Sequence, residues 1–347
     1  MVRTAQANGI DWPGARAWIA EQSWEEVSLE DLALSPPEYY CRPFHAYEAG
    51  NLCWEAAWEQ ELASKAVGAR NFPAYRAEGE EAFRGAFEAA LGDLGAQVPQ
   101  GAILVDMGCG TGGSTRRLAE KHPHAQKVIG FDLSPYMISV GQRLLTSAPL
   151  DSPPWVSPIR ADARCELRLA DIARTGLPDA SADVVCLTLV AHELPQSAFR
   201  EVAAEAHRLL RPGGQLWISE MDFETPGYKK LRGNPALYSL IRATEPYLDE
   251  YAEYQLSGEL AADLVRQGFA PVKLAAATGR HFAAIATKPA VPIGEAELDA
   301  IKRGAAAMAD AGLIVDRRAE TAKDDTHLLT WEARASEIDD TDGARSD

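Results

Sequence analysis

The stretch Ala102-Ile-Leu-Val-Asp-Met-Gly-Cys-Gly-Thr-Gly-Gly-Ser114 constrains this chain more than any other. Four apolar residues, Ala102 to Val105, read as a short buried strand that Asp106 ends. Gly108, Gly110, Gly112 and Gly113 follow, and Thr115-Arg-Arg-Leu-Ala-Glu120 opens a helix near Ser114. Glycine permits a positive φ and lets a ligand approach the backbone with no Cβ in the way. A helix start offers unpaired N–H groups. Strand, glycine turn and helix N-terminus therefore suit a nucleotide-bearing cofactor. Gly108, Gly110 and Gly113 literally satisfy G-x-G-x-x-G, a dinucleotide fingerprint that is weak when it stands alone.

Asp106 changes the reading. A carboxylate two residues before the first glycine repels a pyrophosphate, whereas it suits a cationic ligand or an amine. The run Asp106-Met-Gly108-Cys-Gly110-Thr-Gly112 resembles the first motif of the class I S-adenosylmethionine-dependent methyltransferases. Their cofactor carries an amino acid end, a sulfonium and an adenosine, and no phosphate.

From Gln100 onward the pattern alternates strand and helix, as in a parallel sheet covered on both faces. After the strand at Ala102 come Val128–Asp132, Cys165–Ala170, Asp183–Val190 and Gln215–Glu220. Two more lie between Val272 and Thr287 around Thr278-Gly-Arg280. The expectation is an α/β, Rossmann-like class I methyltransferase fold. Its seven-stranded, mostly parallel sheet carries helices on both faces. Only the last strand runs antiparallel, because Thr278-Gly-Arg280 is long enough for a hairpin and too short for a crossover. Leu210-Arg-Pro-Gly-Gly214 reads as the structural turn before the fifth strand.

Residues 1–98 read as an N-terminal helical cap, 99–288 as the cofactor-binding domain, 289–335 as a C-terminal extension and 336–347 as a disordered acidic tail. In the cap, Glu55 to Ala66 looks helical. Glu80 to Leu94 places Phe83, Phe87, Ala90, Leu91 and Leu94 on one face of a 3.6-residue period. Residues 36–60 are dense in aromatics and are expected to cover the cofactor mouth, with Tyr40, Phe44, His45 and Tyr47 either lidding the pocket or forming an ordinary aromatic core. In the extension, Glu295 to Met308 reads as a helix and His327 to Trp331 as a strand.

Asp132 ends the second strand twenty residues beyond Gly112, where an acidic residue bonds ribose hydroxyls in both dinucleotide and methyltransferase folds. The plain alternative is an aspartate flanking a helix. The resemblance implies further roles. Asp171 would meet the adenine amino group and Ile172 would pack on the ring. Gly108, Cys109, Gly110, Gly112, Leu133 and Leu189 would complete the cofactor site, with Asp106 near the amino acid end of S-adenosyl-L-methionine. Val190-Ala-His-Glu-Leu-Pro195 ends the fourth strand, where the methyl group would lie. His192 and Glu193 are the nearest candidates to remove a proton from an acceptor. Alternatively, His192 packs and Glu193 holds the cofactor or a backbone N–H. Tyr247, Asp249, Glu250 and Tyr251 either line the entrance or form a solvated helix face. No metal ligand set is expected.

The motifs cover roughly residues 100–287, in order. The stretches Gly50-Asn-Leu-Cys-Trp54, Ala66-Val-Gly-Ala-Arg-Asn-Phe-Pro73, Ser219-Glu-Met-Asp-Phe-Glu224, Thr244-Glu-Pro-Tyr-Leu-Asp-Glu-Tyr251 and Thr278-Gly-Arg-His-Phe282 resemble a plant and algal branch of this superfamily. That branch is distantly similar to quinone C-methyltransferases. The resemblance implies a photosynthetic source and a small-molecule or lipid-like methyl acceptor.

A formal net charge of −17 lacks the basic footprint of a nucleic-acid binder, so no nucleic-acid partner is expected. None of the five cysteines falls in a C-x-x-C pair, which speaks against a zinc knuckle and for a reducing compartment. No apolar run reaches membrane-span length, and the first ten residues lack a signal-peptide core. The expected location is the cytoplasm, or a plastid if a longer N-terminus carries a transit peptide. Two other functions compete. One is an NAD(P)-dependent oxidoreductase using the literal G-x-G-x-x-G, against which stand Asp106, the Asp171-Ile172 pair and the lack of a Tyr-x-x-x-Lys pair. The other is a non-catalytic cofactor-binding protein, against which stand the intact loop and acidic residues.

Overall fold

A computed structural model describes residues 1–24, 35–146, 162–291 and 293–323. The strands are β1 (Ile103–Met107), β2 (Lys127–Asp132), β3 (Cys165–Leu169), β4 (Ala182–Thr188), β5 (Leu210–Met221), β6 (Val272–Ala276), β7 (His281–Thr287) and β8 (Ile314–Asp316). They form one sheet in the order β3-β2-β1-β4-β5-β7-β6-β8. Only β7 runs against the rest, pairing antiparallel with both β5 and β6, as the short Thr278–Arg280 turn requires. The sheet has eight strands, not seven. The additional β8 is three residues long and pairs parallel to β6 from Val272↔Ile314 to Leu274↔Asp316.

The helices are α1 (Val2–Ala7), α2 (Trp12–Ala20), α3 (Trp54–Asn71), α4 (Gly79–Leu94), α5 (Gly113–Lys121), α6 (Pro135–Thr146), α7 (Gln196–Leu209), α8 (Pro226–Arg232), α9 (Pro235–Arg242), α10 (Leu248–Leu256), α11 (Glu259–Arg266), α12 (Glu295–Arg303) and α13 (Ala305–Asp310). The expected helix over Glu295–Met308 is two helices, because Gly304 at φ 102° breaks it. The strand read at His327–Trp331 and the acidic tail lie outside the described residues.

The sheet is a two-sided core. In β4, Val185 and Leu187 face a cluster built with Phe199, Val202 and Leu209 of α7 and Leu264 of α11. Val184 and Cys186 face the other cluster, with Phe83, Phe87 and Leu91 of α4 and Trp217 of β5. This alternation is the period-two geometry of a strand covered on both faces. Each large apolar side chain so buried contributes about 1.5–3 kcal/mol. Strand β5 begins earlier than the sequence pattern suggests. The register shifts between the pairs Ala182↔Leu210 and Val184↔Gln215, so Arg211–Gly214 is a bulge within the strand, not a turn ahead of it.

The N-terminal helices pack beside this sheet. Ile10, Trp12 and Ala15 of the α1–α2 region meet Leu62, Ala66 and Ala69 of α3. Ala56 and Ala57 of α3 meet Met137, Val140 and Leu144 of α6. Asp11 caps α2, its carboxylate accepting from Gly14 N at 3.1 Å. The strand order reverses between β1 and β4, which opens a crevice at their carboxyl ends. Among the described residues no helix is long and apolar enough to cross a membrane.

Candidate active site

The crevice at the reversal point is a cleft walled on one side by the glycine turn and on the other by residues 39–45, α3 and the segment ahead of α10. The turn is pinned by backbone bonds. Gly108 N and Cys109 N both donate to Phe131 O, at 2.8 and 2.9 Å. Gly108 has φ +74°, and a Cβ there would lie 2.7 Å from Val190 Cγ2, so the loop and the end of β4 meet only through a glycine. Gly110 has φ +54° and faces the cleft. The nearest atom to a Cβ there is Gln60 Nε2 at 3.4 Å.

Most of the residues expected to bind the cofactor line this cleft: Gly108, Cys109, Gly110, Asp132, Leu133, Asp171, Ile172 and Leu189. The Asp132 carboxylate accepts from Gly110 N and Ser134 N, both at 2.9 Å, and from the Tyr40 hydroxyl at 3.3 Å. Burial raises its pKa, and the two backbone donors and Tyr40 oppose that. Asp171 accepts from Ala173 N at 2.8 Å. Burial pushes the Cys109 thiol well above its ordinary value, so it is a neutral wall. Leu189, at φ +54°, turns the chain sharply at the end of β4.

Three expected residues are not among the lining groups. Gly112 lies under the loop against Leu167. Asp106 is buried at 1% exposure and accepts from the hydroxyls of Ser114, at 2.7 Å, and Thr115, at 2.6 Å. Its carboxylate thus fastens the first turn of α5 to the end of β1, and it is Ser114 that reaches the cleft. Burial raises the Asp106 pKa, opposed by the two hydroxyl bonds. His192 is also buried. Its Nδ1 lies 2.9 Å from both oxygens of Glu220, which in turn accept from His192 N at 3.2 Å and Met221 N at 2.6 Å. Burial alone would lower the His192 pKa. The charge and hydrogen bond of Glu220 outweigh it and hold the imidazole at about 10, a permanent cation at neutral pH.

Glu193, one residue on, does line the cleft. Burial pushes its carboxyl up to about 7; His45 and His192 oppose the shift, and Glu245 and Asp132 reinforce it. Across the cleft, His45 Nε2 sits 2.9 Å from Glu245 Oε1. Burial would lower the His45 pKa, but the hydrogen bond and charge of Glu245 raise it above its ordinary value. The His45 backbone takes φ +49° and its N–H donates to Thr244 O at 2.9 Å, so the strained turn is tied to the partner's own segment. Tyr39 and Tyr247 meet edge to face at 6.3 Å, and the Arg42 guanidinium lies 5.7 Å over the Tyr247 ring. Tyr40, Phe44, His45 and Tyr247 therefore do border the cleft, whereas Asp249 bonds Tyr238, Glu250 accepts from Gln196 N and Tyr251 is buried.

Sequence reasoning missed the His45–Glu245 pair, the Glu220 partner of His192 and the polar face of α3. There Glu61 Oε1 accepts from Thr111 Oγ1 at 2.8 Å and Arg116 Nη2 at 2.6 Å, bracing the glycine loop from the α3 side. No local pattern announces these contacts, which join segments far apart in the chain. Among the described residues no group of three or more His, Cys, Asp or Glu side chains is arranged to hold a metal ion.

Residues 105–218 match the family described as a methyltransferase domain. This part of the chain is a methyltransferase domain, and its strand order and glycine loop accord with that match. Among its relatives, the chain is 35% identical over 129 residues to an uncharacterized methyltransferase of Emericella nidulans, covering 35% of this chain and 42% of that protein. It is 33% identical over 149 residues to the trans-aconitate 2-methyltransferase of Azoarcus sp., covering 42% and 51%. It is 27% identical over 167 residues to the demethylmenaquinone methyltransferase of Lysinibacillus sphaericus, covering 48% and 64%. The chain thus spans about half the length of these relatives. The oxidoreductase alternative finds no support in the family or in these relatives.

Proposed function

We propose that this chain transfers the methyl group of S-adenosyl-L-methionine to a small-molecule acceptor, and that Glu193 takes the proton the acceptor releases. The observation that carries this reading is that Glu193 opens onto the same cleft as the glycine turn, Asp132 and Asp171. Relatives named for trans-aconitate and demethylmenaquinone mark small organic acids and quinones as acceptor classes to try.

The residues present suit the cofactor. Gly110 leaves its Cβ position open to the cleft. Asp132 uses three acceptor positions, and a carboxylate has about four, so one remains for a ribose hydroxyl. Asp171 and Ile172 line the same cleft and are assigned to the adenine amino group and ring, with Leu133 and Leu189 as apolar walls. When bound, the cofactor supplies an electrophilic methyl carbon. The chain contributes alignment, exclusion of water and proton removal. Residues 39–45 and α3 form the covering wall, and on this reading residues 1–98 are the cap of the cofactor domain. Glu193, held near neutrality, is poised to accept a proton, and the cations at His45 and His192 favour its ionised form. His192 is a positioning residue. Its ion pair with Glu220 anchors the short turn Ala191–Glu193 that carries Glu193.

Incubating the chain with methyl-labelled S-adenosyl-L-methionine and a metabolite extract should give products that carry the label. No labelled product, together with no binding of S-adenosylhomocysteine, would contradict the proposal.

A further inference from the structure

A second cavity, of about 470 Å³, lies against the face of the sheet that α4 and α5 cover. Its floor is made of four side chains on one sheet face. Cys186 and Thr188 of β4 pair with Trp217 and Ser219 of β5, and residues two apart along a strand point the same way. Phe87 and Leu91 of α4 and Leu118 of α5 stand over that floor as walls. The cavity borders the glycine-loop cleft through Arg84, Ser114 and Thr188, which line both. Past that shared wall the two separate. Trp217 and Ser219 do not reach the cleft, and Asp132, Asp171 and Glu193 do not reach the cavity.

Protein interiors are close-packed, and voids larger than a water are few. An apolar cavity of about 150 Å³ already holds a benzene, and water settles in a cavity only where it finds about two to four polar partners. Here most of the polar lining is engaged already. Trp217 Nε1 donates to Gln215 Oε1 at 2.9 Å, and His124 Nε2 lies 2.9 Å from Val98 O. Arg84 bonds Glu80 Oε1 at 2.8 Å and Ser64 Oγ at 3.0 Å. Arg117 is paired with Glu81 and Glu88, and Ser114 donates to Asp106. The His122 ring lies 5.8 Å from that of Trp217, and burial and His124 lower its pKa, so it is neutral at pH 7. One buried group is left over. Ser219 is 4% exposed, and its hydroxyl has no hydrogen-bond partner among the described residues. It sits beside Thr188 at the carboxyl end of the floor.

We infer that this cavity is a second small-molecule site, and that its ligand is a neutral, flat, ring-bearing molecule with one hydroxyl. The rings lie over Trp217 between α4 and α5, and the hydroxyl bonds Ser219. By the benzene measure the volume suits about three fused rings. Flatness follows from the rings of Phe87, His122 and Trp217, which reward offset and edge contacts with a π-system. Neutrality follows from the paired charges, since an ionic group would be buried with no free counter-charge. The hydroxyl follows from Ser219, whose buried oxygen otherwise forgoes the bonds water gave it. Because the wall is shared and the volumes are separate, the ligand binds with the cleft occupied. The inference goes beyond the methyl-transfer reading and needs no turnover.

The probes are 9-phenanthrol, phenanthrene and phenanthrene-9-carboxylate, which share three fused rings and differ in the polar group. Each is titrated against the full chain by fluorescence at pH 7, with and without saturating S-adenosylhomocysteine. 9-Phenanthrol should bind at one saturable site, about threefold to tenfold more tightly than the hydrocarbon and about tenfold or more above the anion. S-adenosylhomocysteine should change that affinity by less than about twofold. Ser219→Ala should remove the advantage of 9-phenanthrol over phenanthrene and leave the hydrocarbon's affinity within about twofold of the parent's. Gly92→Trp should abolish binding of all three probes. Gly92 is exposed at the mouth, and a Cβ there meets no atom within 4 Å, so the indole has room to enter the cavity. If that variant fails to fold by circular dichroism, Ala96→Trp on the same lining carries the same expectation. No saturable binding, displacement by S-adenosylhomocysteine, or a preference for the anion would overturn the proposal. So would an advantage that survives Ser219→Ala, or parent-like binding in a folded tryptophan variant.

Discussion

The two ends of the cleft are built by opposite means. At the glycine-loop end, position is set by backbone: Gly108 N, Cys109 N, Gly110 N and Ser134 N fix the turn and Asp132, all within residues 106–134. At the far end, position is set by ion pairs between distant segments, the exposed His45 with Glu245 across 200 residues and the buried His192 with Glu220 across 28. A backbone-built site is rigid and insensitive to pH. An ion-built site inherits the protonation state of every member. The difference teaches that the glycine-loop end can be damaged by shape alone, whereas the ion-paired end is damaged by charge.

The largest expected effect falls on the ion-built end. Glu193→Gln keeps the shape and removes the base, so methyl transfer should fall by about 10²–10⁴-fold. The raised pKa of about 7 means the parent carries a proton on Glu193 below that pH and loses it above. The parent rate should therefore rise with pH through about 7 and level off, and this limb should vanish in the variant. A variant that keeps the limb assigns the proton to another group.

Glu220→Gln leaves His192 buried without its anion, a loss of about 3–5 kcal/mol in denaturant unfolding. The sign of its pH dependence follows from the folded imidazole sitting at about 10, above its ordinary 6.5. The ion pair's contribution is complete below the unfolded pKa and is lost as pH rises through the folded one. Unfolding curves from pH 6 to 10.5 should therefore show the parent's advantage over the variant shrinking with pH. A constant gap would mean that the pair is not ionic.

Smaller effects are expected at the backbone-built end, where they appear in cofactor affinity. Gly110→Val puts a branched side chain at φ +54° on the face open to the cleft, and affinity for S-adenosylhomocysteine should drop by about a hundredfold. Asp132→Ala removes the acceptor for Gly110 N and Ser134 N as well as for the ribose, about tenfold to a hundredfold. Tyr40→Phe removes one long bond of 3.3 Å to Asp132 and should change affinity by less than about threefold. If Tyr40→Phe outweighs Asp132→Ala, residues 39–45 hold the cofactor more than the loop does, and the contrast between the two ends fails.

The same contrast explains what the sequence reveals. Strands β1, β2 and β4 show as apolar runs because each is covered on both faces, and the α4 stripe shows because one face of it is buried. The glycine turn and Asp132 are local, so spacing alone places them on one crevice. Strand β8 is three residues long, too short to display a period. The inward placement of Asp106 depends on Ser114 and Thr115 donating from the first turn of α5, a direction that spacing does not encode. His192 looks like an exposed base beside Glu193, until Glu220 on the neighbouring strand turns it inward. The pair of His45 and Glu245 needs residues 39–45 packed against the segment ahead of α10, and no periodicity reports that contact.

The account stands on the cleft being shaped for a cofactor without phosphates. Calorimetric titration of the parent chain with S-adenosylhomocysteine and with NADH tests this most directly. One saturable site for S-adenosylhomocysteine and no heat from NADH is the predicted result. Saturable binding of NADH with none of S-adenosylhomocysteine would contradict it.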